Sequence, residues 1–275
     1  MAWWSSPRSV ALDPASEAAW TSGTKLVTEP VAVAIEGNDR PCAFGSRAVL
    51  LAARRGSGLS LRIPFTSTTI LDRALGRAYL RWLVETAGRG RRNTQLMVVV
   101  PALAGPPLAA SWRSLGEEVG ARSLVVERPL AALAGLGVDV SSGGAYMVVD
   151  SERDTTEVAV VADGTVVAAR HTPPLTVGIE TTAEAILSLL VTIDPDFELD
   201  IADLGVQLVG RQMASEAVAA ELAIQVGIPV VAAGDRARVV IDGAQKTIDE
   251  VRPYMHQMLA RGRTGFRAVR GGFAR

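Results

Sequence analysis

The chain has 275 residues, 48% apolar and 21% charged, with a formal net charge of -1 at pH 7. That length allows one large domain or two small ones around a substantial core, and the near-neutral charge excludes a bulk electrostatic attraction for nucleic acid. A single cysteine, Cys42, excludes an internal disulfide, and His171 and His256, far apart and without cysteine neighbours, argue against zinc and for a reduced cytosolic setting.

In chain order, residues 26–35 read as an extended apolar strand that pairs with a short strand at 42–45, and the basic, glycine-containing stretch 54–60 as a loop. Residues 71–87 carry a helical stripe of Leu71, Leu75, Ala78, Tyr79, Trp82 and Leu83, stopped by Gly88 and the basic run to Arg92. A buried strand at 96–100 follows, then a loop with Pro101, Pro106 and Pro107, a helix to about 119, a strand at 123–126, and a helix begun by Pro129. The second half opens with strands at 145–149, 156–162 and 165–171 in antiparallel order, then a helix at about 180–191 and a buried strand at 204–209. A helix at about 214–226, the turn at Gly227, a strand at 228–232 and a helix at about 237–259 complete the pattern. Early β-structure followed by strand–helix alternation, twice over, predicts an α/β architecture of two lobes with a cleft between them.

The turn between the first two strands of the second half is the anomaly. A hairpin that closes on a phosphate is normally built of glycine, so that backbone N–H groups approach the anion without a Cβ in the way. Here "VVDSERDTTEVAV" places Ser151, Glu152, Arg153 and Asp154 in the turn.

Five segments in register, "TEPVAVAI" (28–35), "VVVPA" (98–102), "GARSLVVERPLAALAGLG" (120–137), "MVVDSERDTTEVAVV" (147–161) and "LGVQLVG" (204–210), resemble the bacterial actin homologue MreB over roughly residues 9–250. The resemblance implies an actin-like, two-lobed (ribonuclease H-like) α/β fold. It also implies ATP held by one phosphate-binding hairpin per lobe and an adenosine turn, and filaments on the inner membrane face that organise cell-wall synthesis.

Carried over residue by residue, each nucleotide motif departs from the family pattern. The first loop keeps Asp13 but follows it with Pro14 and Ala15, and proline removes an N–H donor and fixes φ. The second loop keeps Asp150, Thr155 and Thr156, with Glu152, Arg153 and Asp154 in place of glycines. Two of these are carboxylates expected to face and repel a phosphate, with Arg153 offsetting one of them. The acid that in the family orients the attacking water corresponds to Arg128, and Glu127 one position earlier lies on the other side of an extended backbone. The adenosine turn reads Gly210, Arg211, Gln212. Between His171 and Leu204 the family carries a capping subdomain, for which this chain has room for about one helix, so the second lobe is expected to be reduced.

These readings predict vestigial nucleotide-binding positions at Asp13, Asp150, Arg153, Thr155, Thr156 and Gly210, a lost catalytic position at Arg128, no metal and no cofactor, with ATP and magnesium as the alternative. The expected domains are 1–144 with 245–260, 145–244, and a basic tail 261–275. No run approaches the roughly 20 apolar residues of a membrane span, and no basic-then-apolar leader opens the sequence, so the chain is expected neither to span nor to be exported. Trp3 and Trp4, with Arg261, Arg263, Phe266, Arg267, Arg270 and Phe273 of the tail, are candidates for peripheral contact with an anionic membrane. The expected function is a non-catalytic scaffold or accessory factor of cell-shape or cell-wall morphogenesis, partnered by an authentic MreB or other morphogenetic proteins, with no nucleic acid. The alternatives are an ATP-binding, filament-forming ATPase and an actin-fold adaptor of a pilus or division complex.

Overall fold

A computed structural model describes residues 9–15, 18–21, 29–37, 39–54, 56, 58–86, 94–141, 143–153, 155–210, 215–233 and 238–260, the side chains of 18–21 and 251–260 excepted. The membrane-contact candidates at residues 3, 4 and 261–273, and Asp154, Arg211 and Gln212, lie outside the described residues. The chain forms two compact units, Met1–Val100 with Ala104–Val126, and Pro101–Leu103 with Glu127–Arg275.

The first unit contains β1 (Ser9–Asp13), β2 (Ala18–Thr21), β3 (Val33–Glu36), β4 (Arg40–Phe44), α1 (Gly45–Ala52), β5 (Leu59–Arg62), α2 (Arg73–Thr86), β6 (Thr94–Val100), α3 (Pro106–Glu118) and β7 (Ala121–Glu127, its last residue counted with the second unit). One sheet has the order β2-β1-β6-β7, with β1 antiparallel to β2 and parallel to β6. A smaller antiparallel sheet has the order β4-β3-β5. The apolar stripe of α2 buries Leu75, Tyr79, Leu80 and Leu83 against Val10, Leu12, Leu96 and Val98. Phe65 stands edge-on to Trp112 and to Tyr79, with ring centroids 4.9 and 5.6 Å apart. Leu71, expected on the α2 stripe, precedes the helix and is exposed.

The second unit contains α4 (Arg128–Leu136), β8 (Ala145–Ser151), β9 (Thr156–Ala162), β10 (Thr165–Thr172), α5 (Ile179–Leu190), α6 (Pro195–Leu204), β11 (Val206–Val209), α7 (Glu216–Val226), β12 (Val230–Ala232) and α8 (Val239–Ala260). Its sheet has the order β10-β9-β8-β11-β12, antiparallel across β10-β9-β8 and parallel across β8-β11-β12. Alternate residues of β8 and β9, including Met147, Val149, Val158 and Val160, pack with α5, α6 and α7 into one core. The intervening residues point to the opposite face, where α4 packs.

Elements that the reading along the chain did not name include α1, β5, which overlaps the end of the presumed loop 54–60, and α6. Between β10 and β11 the chain therefore forms two helices and no strand, where one helix was expected. The unit boundary also differs from the expected 144/145, because α4 and α8 pack tightly on each other within the second unit. Their approach depends on two glycines: a Cβ on Gly243 would lie 1.7 Å from the Ala131 carbonyl oxygen, and one on Gly135 would lie 1.9 Å from that of Val239.

Candidate functional site

The β8–β9–β10 register sets the site. Asp150 pairs with Glu157, and Glu157 with His171, so these three side chains form one row across the sheet on the face that α4 covers. One position earlier, Val149 and Val158 turn to the apolar core instead. Two carboxylates directly opposite each other in a buried row repel, and such a row needs a cation.

Arg128, the first residue of α4, supplies it. Pro129 follows in the first helical turn, where its missing N–H costs nothing, and this fixes the point at which the Arg128 side chain leaves the helix. Its Nε donates to Asp150 Oδ2 and its Nη2 to Glu152 Oε1. The side chains are 5% exposed at Arg128, 1% at Asp150 and 8% at Glu152, so all three charges are out of water. A planar guanidinium suits this role because its fork presents donors to two acceptors at once.

This arrangement corrects the expectation for the turn. Glu152 does not stand as an unpaired carboxylate awaiting an anion, since its acceptor is already engaged by Arg128. Arg153, expected to offset one of the acids, is exposed, and the cation that engages Glu152 is Arg128 of α4. The turn itself closes with Glu152 N–H donating to the Thr155 carbonyl at 3.0 Å. Thr155 Oγ1 donates to the Thr172 carbonyl and Thr156 Oγ1 to Ser151 Oγ, so both threonine hydroxyls serve the hairpin and its neighbour.

Glu157 was not singled out in the sequence, although an acid inside the apolar alternation of 156–162 was a visible signal. It is 4% exposed and accepts the backbone N–H of Ala102. Burial pushes its pKa up from 4.5 to about 7, opposed by the Ala102 hydrogen bond and by Arg128 and reinforced by the charges of Asp150 and Glu127. His171 Nε2 lies 3.8 Å from its Oε1. Glu127 accepts the Leu103 N–H at 2.8 Å.

Two further predicted positions are Asp13 and Gly210. In the first unit Asp13 ends β1, is buried, and accepts the Ala15 N–H at 3.1 Å across Pro14, forming an Asx-turn. Gly210 follows β11 with φ +112, and a Cβ there would lie 2.2 Å from the Ser151 carbonyl oxygen, so backbone contact with the hairpin demands glycine.

In the second hairpin Glu152, Arg153 and Asp154 stand where the resemblance puts glycines, Asp150 is paired with Arg128, and Arg128 occupies the position where the resemblance puts an acid. Among the described residues no group of three His, Cys, Asp or Glu is positioned to hold a metal ion. No described helix is long and apolar enough to cross a membrane.

The family described as MreB/Mbl protein matches residues 9–174. No curated protein matches the sequence. Among solved structures the chain is similar to MreB5 of Spiroplasma citri bound to ADP, with TM-score 0.79 and 15% identity over 91% of this chain and 98% of that one. It is similar to the same protein bound to AMPPNP, with TM-score 0.80 and 14% identity over 92% and 99%. A MamK double helical filament gives TM-score 0.67 and 16% identity over 88% and 98%. At such identities these likenesses establish the mixed α/β actin-like fold. Because the family match spans more than half of its length, this chain belongs to the MreB/Mbl family of actin-like proteins.

Proposed function

We propose that this family member is a non-catalytic, actin-fold scaffold or accessory factor of cell-shape or cell-wall morphogenesis, with a nucleotide site that no longer works. The observation that carries the reading is the buried Arg128–Asp150–Glu152 cluster. A cation stands where the family resemblance puts the water-orienting acid, and it engages Asp150, the aspartate retained in the second phosphate loop. Asp13, Arg153, Thr155, Thr156 and Gly210 are, on this reading, inherited positions without a ligand, and no cofactor is required. Partners are an authentic MreB or other morphogenetic proteins, with peripheral membrane contact through residues 3–4 and 261–273. The two helices between β10 and β11, in place of a capping subdomain, support a protein whose assembly contacts differ from those of its relatives.

The second reading, an ATP-binding, filament-forming actin-like protein, is favoured by the ADP and AMPPNP in the MreB5 structures. Titration of the purified chain with ATP and ADP in magnesium, by calorimetry and thermal shift together, separates the two. The expected result is neither heat nor shift at millimolar nucleotide. Magnesium-dependent binding that Asp150→Ala abolishes would overturn the proposal and restore the ATPase reading.

A further inference from the structure

Residues 101–103 belong with the second unit, although β6 before them and α3 after them belong with the first. Two successive amides of this segment end on carboxylates of the second unit: Ala102 N–H on Glu157, and Leu103 N–H on Glu127. Leu103 holds φ +55, a left-handed conformation that a leucine does not choose by itself, so contacts rather than local preference hold the segment's shape. Nothing in the nucleotide reading requires these bonds.

We propose that Glu127 and Glu157 form a latch fastening residues 101–103 to the second unit, and that the latch loosens when Glu157 gives up its proton. Neutral Glu157 accepts the Ala102 N–H through its carbonyl oxygen at no electrostatic cost. Ionised, it is a buried charge facing Asp150 of β8, with Glu127 at the end of β7 nearby. The cation on α4, Arg128, already donates to Asp150 and Glu152. On β10, His171 is half exposed and a counter-charge only when protonated, and Arg170 is exposed. The charges of α5, which also packs on β9, are the exposed Glu180 and Glu184. The Ala102 N–H and Arg128 favour the ionised form, but burial outweighs them, so an ionised Glu157 gains by moving to water, and that movement breaks the bond to Ala102.

The sign follows from linkage. The folded pKa of Glu157 is raised from 4.5 to about 7, so the proton holds the latch closed fully below about 4.5 and that contribution is gone above about 7. Between those limits the open fraction rises by up to about tenfold per pH unit, and it is level at higher pH.

Amide hydrogen exchange on the full chain, corrected for intrinsic rates, tests this at Ala102 and Leu103. From about pH 5 to about pH 7 their protection is expected to fall by more than tenfold and then stay level. Glu157→Gln, which keeps an acceptor but cannot ionise, should give a flat profile. Glu127→Ala should lower protection at Leu103 while leaving the pH profile of Ala102 in place. Both amides should exchange faster than that of Val148 in the core of the unit at every pH. A flat parent profile, a Glu157→Gln profile that coincides with the parent, or protection equal to that of Val148 would each overturn the latch.

Discussion

Replacing Arg128 by methionine tests whether this residue is the counter-ion around which the hairpin is built. Methionine fills similar volume along the stem, so the change removes charge and donors with little loss of packing. What remains is Asp150 and Glu152, with side chains 1% and 8% exposed and their cation gone. Removing one partner of a buried pair costs about 3–5 kcal/mol, because the stranded charge keeps its desolvation penalty. With two carboxylates stranded beside Glu157, the upper part of that range applies, about 4–5 kcal/mol near neutral pH. For a chain of this size that lowers Tm by roughly 7–9 °C. Protonation removes the stranded charges, so the gap between variant and parent should narrow as pH falls from about 7.5 to about 4.5. The triple variant Arg128→Met, Asp150→Asn, Glu152→Gln removes all three charges together and should recover most of the loss. Urea unfolding followed by circular dichroism at the two pH values measures each of these. A single Arg128→Met variant within about 1 kcal/mol of the parent near neutral pH would refute the idea that this cluster is a desolvated, mutually dependent unit.

Glu157→Gln should change how global stability depends on pH. The proton on Glu157 stabilises the fold below about pH 4.5 and ceases to do so as pH rises through about 7, a contribution of about 3 kcal/mol from the raised pKa. The variant does not titrate, so its stability relative to the parent should grow by about 2–3 kcal/mol between pH 5 and pH 8, and a pH-independent difference would contradict the assignment. At the α4–α8 contact, Gly243→Ala puts a methyl 1.7 Å from the Ala131 carbonyl oxygen, so the helices must separate. A cost of about 3 kcal/mol or more in urea unfolding is expected, and an unchanged midpoint would show that the helices do not meet there.

Much of the fold was legible because its signals are local. The α2 stripe repeats at helical spacing, and its Leu75, Tyr79 and Leu83 are the buried face. The apolar run at 145–149 and the alternation at 156–162 are clear enough that the strands of 145–172 lie within two residues of where the pattern puts them. Helix α6 also carries a sequence signal, an aspartate at 194 followed by Pro195 at the first helical position, and in the structure Asp194 caps it by accepting the Asp196 N–H. Helix α1 was not legible: its first turn has no side-chain cap of its own, and the Ser46 N–H is met by Glu29, 17 positions upstream. Strand β5 is an edge strand with mostly exposed side chains, so it lacks the alternation that reveals a half-buried strand.

At the hairpin the division between sequence and structure is sharp. By itself the sequence determined the family resemblance, the loss of the loop glycines, and the arginine at position 128, because each depends on which residue stands at a place in a known order. Only the tertiary structure decided what those changes do. Whether Glu152 faces an anion or a guanidinium, whether Arg153 or Arg128 is the counter-ion, and whether Glu157 touches the 101–103 segment all depend on α4 lying across the sheet at one register. Strand pairing sets which side chains share a row, but the charge each meets comes from a helix that starts more than 20 residues away in the chain, at a contact 22 positions apart for Arg128 and Asp150. Electrostatic environment is a property of distance in space, and a linear pattern carries it only where neighbours in space are also neighbours in sequence.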